Sequence, residues 1–446
     1  MGVRTKPNNT RQGAISLQDQ YTTTAERNQE PEILHDLRMN GTERPWAKWK
    51  REATGLADIY EVLGCDPDNP QAARDLDKAR KVAECATFTE FQRHNPDSGH
   101  KTPWLTLHKA NFCRNRLCPM CGWRRSLKMG AQAREVVAEA NRAKVSRDGA
   151  PYKWLFVTFT VKNVQGPELG QTIDKLHRAV NNMAKCKRWK TAVKGWLRAT
   201  EITHNTDKLS PSFDTFHPHL HMLLCVNARY FKSSDYITQK EWKAMWEHYA
   251  ELDYSSQVNV KAVKDLDNDQ TAESKTSLGG ALAEVTKYVC KPQGVVTWEN
   301  PEMAVRTVLT LDRMLDGRRL TSWGGVLKDA AKKLKLDSIE DGDLVHVEEE
   351  QAEDVEANKI ADYVAYNWSV GLSNYTKFYA REGDAPEVER EKKVDSDHKI
   401  TKKRAKSAGD GVKSKSRQDV ERRLMWNPDN ITTYTEADER EIFGGA

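Results

Sequence analysis

The chain has 446 residues, 38% hydrophobic and 30% charged, with a formal net charge of +5. Its mean hydropathy of −0.78 and the lack of any apolar run near the ~18 residues that cross a bilayer exclude a helical membrane protein. Residues 1–6 lack the apolar segment of a secretory signal, so a cytoplasmic location with no membrane partner is expected; the length suits two or three domains.

Residues 1–45 are polar, poor in large apolar clusters, and expected to be disordered. Residues 46–145 read as a helical and zinc-binding module, helical from 46 to about 90 and again after the cysteines. Eight cysteines in a cytoplasmic chain argue for metal rather than disulfides. Three fall in Cys113-Arg-Asn-Arg-Leu-Cys118-Pro-Met-Cys121, where Cys118 and Cys121 flank the tight turn of a zinc knuckle. Tetrahedral Zn²⁺ needs a fourth ligand, Cys85 or His108; Cys85 is preferred, because four thiolates make a closed structural site. Cys186, Cys225 and Cys290 read as buried thiols, and Cys65 has no assigned role.

Residues 101–200 carry 21 lysines and arginines against 5 acidic residues. With Trp104, Trp123, Trp154, Trp189 and Trp196 interleaved, this block reads as a surface for a phosphate backbone. Arg114, Arg116, Arg124 and Arg125 beside the cysteines are its candidate DNA contacts.

Residues 151–292 show a legible order of elements. Strands are expected over 154–161, 195–203, 217–226 and 257–263, and helices over 172–186, 239–252 and 277–290. The resulting β-α-β-β-α-β-α series suits an α+β fold, an antiparallel sheet of ferredoxin-like kind with helices on one face. Phe216-His-Pro-His-Leu-His221 heads the third strand. His219 and His221 are two apart, so both imidazoles leave the same face and form a clamp for a divalent metal. His217 is expected at the strand entrance. Glu201, on the neighbouring strand, is the expected oxygen ligand.

On the last helix, Glu284 and Tyr288 are one turn apart, flanked by Lys287 and Lys291. A metal acting as Lewis acid on a phosphate, beside a tyrosine able to serve as nucleophile, describes phosphodiester transesterification. Ionising a free tyrosine at pH 7 costs about 4 kcal/mol, which the metal and a lysine could reduce; which lysine meets the phosphate stays open. Residues 293–380 form a C-terminal extension, containing an acidic stretch at 337–362 with 11 acidic residues and one lysine. An aromatic island at Tyr363, Tyr366 and Trp368 follows. Residues 381–446 are charged and expected to be disordered.

The motifs Val157-Thr-Phe-Thr-Val161, His217-Pro-His-Leu-His221 and Glu284…Lys287-Tyr288-Val-Cys-Lys291 resemble the three ordered motifs of HUH endonucleases. Most closely they resemble the replication initiator (Rep) proteins of bacterial rolling-circle plasmids, as do the cysteine segment, Tyr366-Asn-Trp368 and Asn374-Tyr375. The resemblance covers roughly residues 80–380. It implies that Tyr288 nicks one strand at the double-strand origin, forming a 5′-phosphotyrosine and leaving a 3′-OH primer, with Mn²⁺ or Mg²⁺ as cofactor. It also implies that Glu284, standing where two-tyrosine enzymes carry a second nucleophile, activates water to end the cycle. No G-x-x-x-x-G-K-[ST] loop occurs, so a host helicase and DNA polymerase are expected partners on plasmid origin DNA, with homo-oligomerisation possible. The competing readings are an HUH relaxase or transposase, and a non-catalytic zinc-dependent DNA-binding regulator.

Overall fold

The computed structural model describes residues 31–38, 41–95, 103–263, 277–287, 296, 300–347 and 360–382. Tyr288, Cys290, Lys291 and most of the two segments expected to be disordered lie outside the described residues. In chain order the elements begin with α1 (Trp46–Gly64), α2 (Ala72–Glu84), β1 (Phe88–His94), β2 (Trp104–Ala110) and α3 (Pro119–Asp148). Next come β3 (Lys153–Thr160), α4 (Leu169–Met183), α5 (Lys187–Ala192), β4 (Val193–Asn205), β5 (Thr215–Val226), α6 (Gln239–Tyr249), β6 (Val258–Val263) and α7 (Leu278–Lys287). The last are α8 (Pro301–Met314), β7 (Thr321–Gly325), α9 (Val326–Lys333), β8 (Ile360–Ser369) and β9 (Asn374–Glu382).

The strands form two antiparallel sheets, ordered β6-β3-β5-β4-β7 and β2-β1-β8-β9. The fold is therefore α+β, and the expected succession of elements from 151 onward is in place, with α4 as the helix anticipated at 172–186 and α5 a further short helix after it. Local chemistry explains several boundaries. Thr238 and Glu241 form a reciprocal capping box at the start of α6. Asn300 accepts from the Met303 amide ahead of Pro301 to start α8. Gly149, at φ 72°, ends α3 in the left-handed conformation a side chain would resist.

Helices cover both faces of the five-stranded sheet, not the one face expected. Leu155, Val157, Phe159, Leu220, Met222 and Leu224 pack with Leu176 and Val180 of α4 and Trp242 and Trp246 of α6. On the opposite face Leu197, Ala199, Leu223 and Cys225 meet Met129 and Ala133 of α3 and Ala281 and Val285 of α7. The reason lies in β5, whose residues 222–226 are apolar on both faces, so neither can be left to water. A further strand, β7, pairs with β4 from Gly195 to Ala199.

The helical reading of 46–145 omits β1 and β2. β1 lies between β2 and the late strand β8, with Phe91 opposite both Leu107 and Val364. The core under this sheet is aromatic: Trp46 meets Phe91, Trp123 and Tyr375 edge to face at 5.4, 4.8 and 6.5 Å. The segment before α1 joins it, with the Leu34 amide donating to the Tyr375 carbonyl at 3.0 Å and buried Asp36 paired to Arg44 at 2.8 Å. α3 links the two sheets. Its first turn carries Cys121 and Trp123 in the aromatic core, and its middle covers the larger sheet.

Candidate active site and cysteine cluster

β4 and β5 build the first constellation. Their register sets Glu201 opposite His219 and Ala199 opposite His221, so the carboxylate and both imidazoles project from one face, the face that α3 and α7 cover. One oxygen, Glu201 Oε2, lies 2.6 Å from His219 Nε2 and 2.7 Å from His221 Nε2. The outer ring nitrogens are also engaged: Nδ1 of His219 meets the His217 carbonyl at 3.2 Å, and Nδ1 of His221 meets the Thr158 hydroxyl at 3.2 Å.

A carbonyl only accepts, so His219 carries its proton on Nδ1 and, when neutral, turns an Nε2 lone pair toward an anionic oxygen. A cation, proton or metal, must reconcile them. Two imidazole nitrogens and a carboxylate oxygen converging from rigid strands are a donor set fit for a divalent ion. Burial pushes the Glu201 pKa up, but the hydrogen bonds and charges of the two histidines outweigh it and bring it down to about 2. Burial lowers the pKa of His221, against the opposing pull of Glu201 and, more weakly, of Glu284. His217 lies on the same strand opposite Thr203, outside the three-residue cluster.

α7 packs on the histidine-bearing face through Ala281, Leu282 and Val285. Glu284 and Lys287 pair on it at 2.6 Å, and the lysine is buried. The described helix ends at Lys287, the residue before Tyr288.

The second constellation joins Cys85, Cys113, Cys118 and Cys121. Cys85 lies at the C-cap of α2, and Cys118 at the N-cap of α3 with Pro119 in its first turn. Sulfur separations are 3.6 Å for Cys85–Cys121, and 3.7 Å for both Cys113–Cys121 and Cys118–Cys85. A tetrahedron with Zn–S bonds of about 2.3 Å has edges of about 3.8 Å, so the thiols could hold such an ion. The amides of Cys113 and Arg114 donate to Cys85 and Cys121 sulfurs, and buried Lys50 donates to the Cys85 carbonyl at 2.7 Å. His108, the alternative ligand, faces Glu90 at 3.9 Å.

The arginines separate into two kinds. Arg124 is fully buried, donates to the Leu344 and Val345 carbonyls at 2.9 and 2.7 Å, and sits over Trp46 and Trp123. Arg125 is buried and holds the Arg114 and Asn115 carbonyls at 2.6 and 3.1 Å. Both expected DNA contacts are thus spent on protein carbonyls. Trp104, Trp123, Trp154 and Trp189 are likewise buried and belong to the protein interior; Trp196 is partly buried, packed against the core of the larger sheet. Arg114 and Arg116 stay at the rim. Sequence reasoning missed Thr158 and Lys50; Thr158 could have been found from the strand alternation, which sets it opposite His221.

With this geometry in view, comparison with known proteins is decisive. A family profile for replication proteins matches residues 104–376. The chain belongs to the replication protein family. It is similar to a Rep protein of Bacillus amyloliquefaciens, 37% identical over 77% of this chain and 96% of that one. Rep proteins of Lactiplantibacillus plantarum and Streptococcus pneumoniae are 34% and 33% identical, each over 77% of this chain and 98% and 95% of theirs. The likeness to plasmid Rep initiators expected from the motifs therefore holds across most of the chain. No solved structure gave a significant match. Among the described residues no helix is long and apolar enough to cross a membrane.

Proposed function

We propose that the chain starts rolling-circle replication by nicking one strand of its plasmid origin through tyrosine transesterification. The observation that carries this reading is the convergence of Glu201, His219 and His221 on one sheet face, with α7, which bears Glu284 and Lys287, packed across that face. The strand order β6-β3-β5-β4 agrees with an HUH-type core. A divalent ion held by the three residues, Mn²⁺ or Mg²⁺, supplies Lewis-acid polarisation of the scissile phosphate.

The Tyr288 oxygen attacks phosphorus as the P–O3′ bond breaks. The released 3′-oxygen becomes the primer hydroxyl, and the 5′-phosphate stays on the tyrosine. Lys287 and Lys291, flanking Tyr288 in sequence, are the two candidates to stabilise the phenolate. Glu284, one turn before Tyr288, takes a proton from water to release the phosphotyrosine at termination. The four cysteines hold structural Zn²⁺. Origin DNA is the substrate, and helicase and polymerase functions come from the host.

The test incubates purified protein with a labelled origin-containing single strand and Mn²⁺, resolved on a denaturing gel. Wild type should give a covalent adduct that is absent in Tyr288→Phe and without divalent metal. Glu284→Ala should keep the adduct and release it slowly. Duplex binding that survives chelation, with no adduct on any origin strand, would establish the regulator instead.

A further inference from the structure

The cysteine loop and the larger sheet meet at a cavity of about 120 Å³ lined by Arg114, Arg116, Arg125, Thr321, Glu340 and Asp341. Thr321 fixes its place relative to the candidate metal site. It pairs with Ala199 on β4, and Glu201 is two residues farther along that strand. Diagonal neighbours on an antiparallel pair are about 7–8 Å apart, which brings Thr321, on the cavity wall, near Glu201.

Each of the three guanidinium groups around this small space donates to a protein carbonyl, and one of them also faces a carboxylate. Arg125 holds the loop's own carbonyls, and Arg114 donates to the Asp341 carbonyl at 2.6 Å. Arg116 is part-exposed; one of its nitrogens donates to the Arg318 carbonyl and the other reaches the Glu340 carboxylate at 3.4 Å. Glu340 is itself held in place. It sits in a turn closed by the Gly342 amide on the Ser338 carbonyl at 3.1 Å. Lys128 fastens that turn with bonds to Asp337, the Ser338 carbonyl and the Asp343 carbonyl, at 2.8, 2.8 and 2.9 Å. The start of the acidic stretch is thus docked on the basic module, with one carboxylate set at the mouth of an arginine cavity. Guanidinium binds carboxylate and phosphate by the same hydrogen-bond geometry.

We propose that this cavity is a phosphate subsite for the DNA strand entering the active site, with Arg116 as its main ligand and Glu340 as a resident competitor that the strand displaces. The inference rests on the reading of the chain as a DNA-nicking initiator and names part of how it holds its substrate. Phosphate contacts are independent of sequence, so oligothymidylate is a sufficient probe.

The experiment measures fluorescence anisotropy of labelled oligothymidylate with the full-length protein across a salt series. Arg116→Gln should lower the slope of log affinity against log salt by about one, the loss of a single phosphate contact. Glu340→Gln should tighten binding about threefold at low salt, the scale of a surface ion pair, and the gain should vanish when combined with Arg116→Gln. Arg116→Lys, retaining the charge, should keep the slope; with Glu340→Gln it keeps the test available where Arg116→Gln does not fold. An unchanged slope in folded Arg116→Gln, or an equal gain from Glu340→Gln in both backgrounds, overturns the subsite. If wild type forms the Tyr288 adduct while either of those results is seen, only the subsite fails. If wild type neither binds oligothymidylate nor forms an adduct, the nicking reading fails with it.

Discussion

A single oxygen of Glu201 serves both histidines, which concentrates the demands of the site on one carboxylate. Glu201→Gln keeps the side chain's size and removes its charge. Calorimetric Mn²⁺ binding should then fall at least as far as the 10–100-fold that loss of an outer-shell partner alone costs. Thr158→Val tests that outer shell directly. The His221 ring loses its hydroxyl partner, and Mn²⁺ affinity should drop within that 10–100-fold range with the fold intact; unchanged affinity would show that the hydroxyl has no part in orienting the ring. Arg124→Ala belongs to a different class. It strips the buried Leu344 carbonyl and the part-buried Val345 carbonyl of their donor, at about 1–3 kcal/mol for a buried group left unsatisfied. Urea unfolding should report that loss, while the salt dependence of DNA binding stays that of wild type. The sequence made the histidine pair and Glu201 legible, because strand alternation is a local rule. It misled at Arg124 and Arg125, because a run of positive charge looks the same whether its guanidinium groups face water or the carbonyls of residues more than 200 positions away.

At the scale of elements, α3 is a strut of 30 residues, about 45 Å long at 1.5 Å per residue. One end carries two of the four cysteines and the middle covers the sheet that bears the histidines. A metal bound at the cysteines would therefore set where the strut begins. Purified protein should contain one zinc per chain by elemental analysis. Cys85→Ser should lose that zinc and become more susceptible to protease near the start of α3, whereas His108→Ala should keep it; the reverse pattern would move the fourth ligand to His108. The succession from β3 to α7 was readable because each element carries its own period and punctuation. The smaller sheet was not. β1 and β2 are short, and part of what identifies β1 as a strand is its pairing with β8, with Arg93 meeting Asp362 across 269 positions. No local pattern announces a partner that distant.

For the whole molecule, this pairing means that the early and late parts of the chain complete one another. Tyr375, on β9, is buried and donates to the Ala86 carbonyl at 2.7 Å, one residue from Cys85. A chain truncated before 360 should therefore lose zinc and solubility even though every proposed catalytic and zinc-binding residue is still present. Retention of zinc by a soluble truncated protein would show that the cysteine half needs only its own strands. The order of synthesis gives this arrangement a further meaning. The cysteines and histidines leave the ribosome well before β8 and β9 do, and β1 waits with one edge unpaired until β8 has been made. Copies whose synthesis stops before β8 and β9 are left without the strands that complete the sheet of the cysteine half.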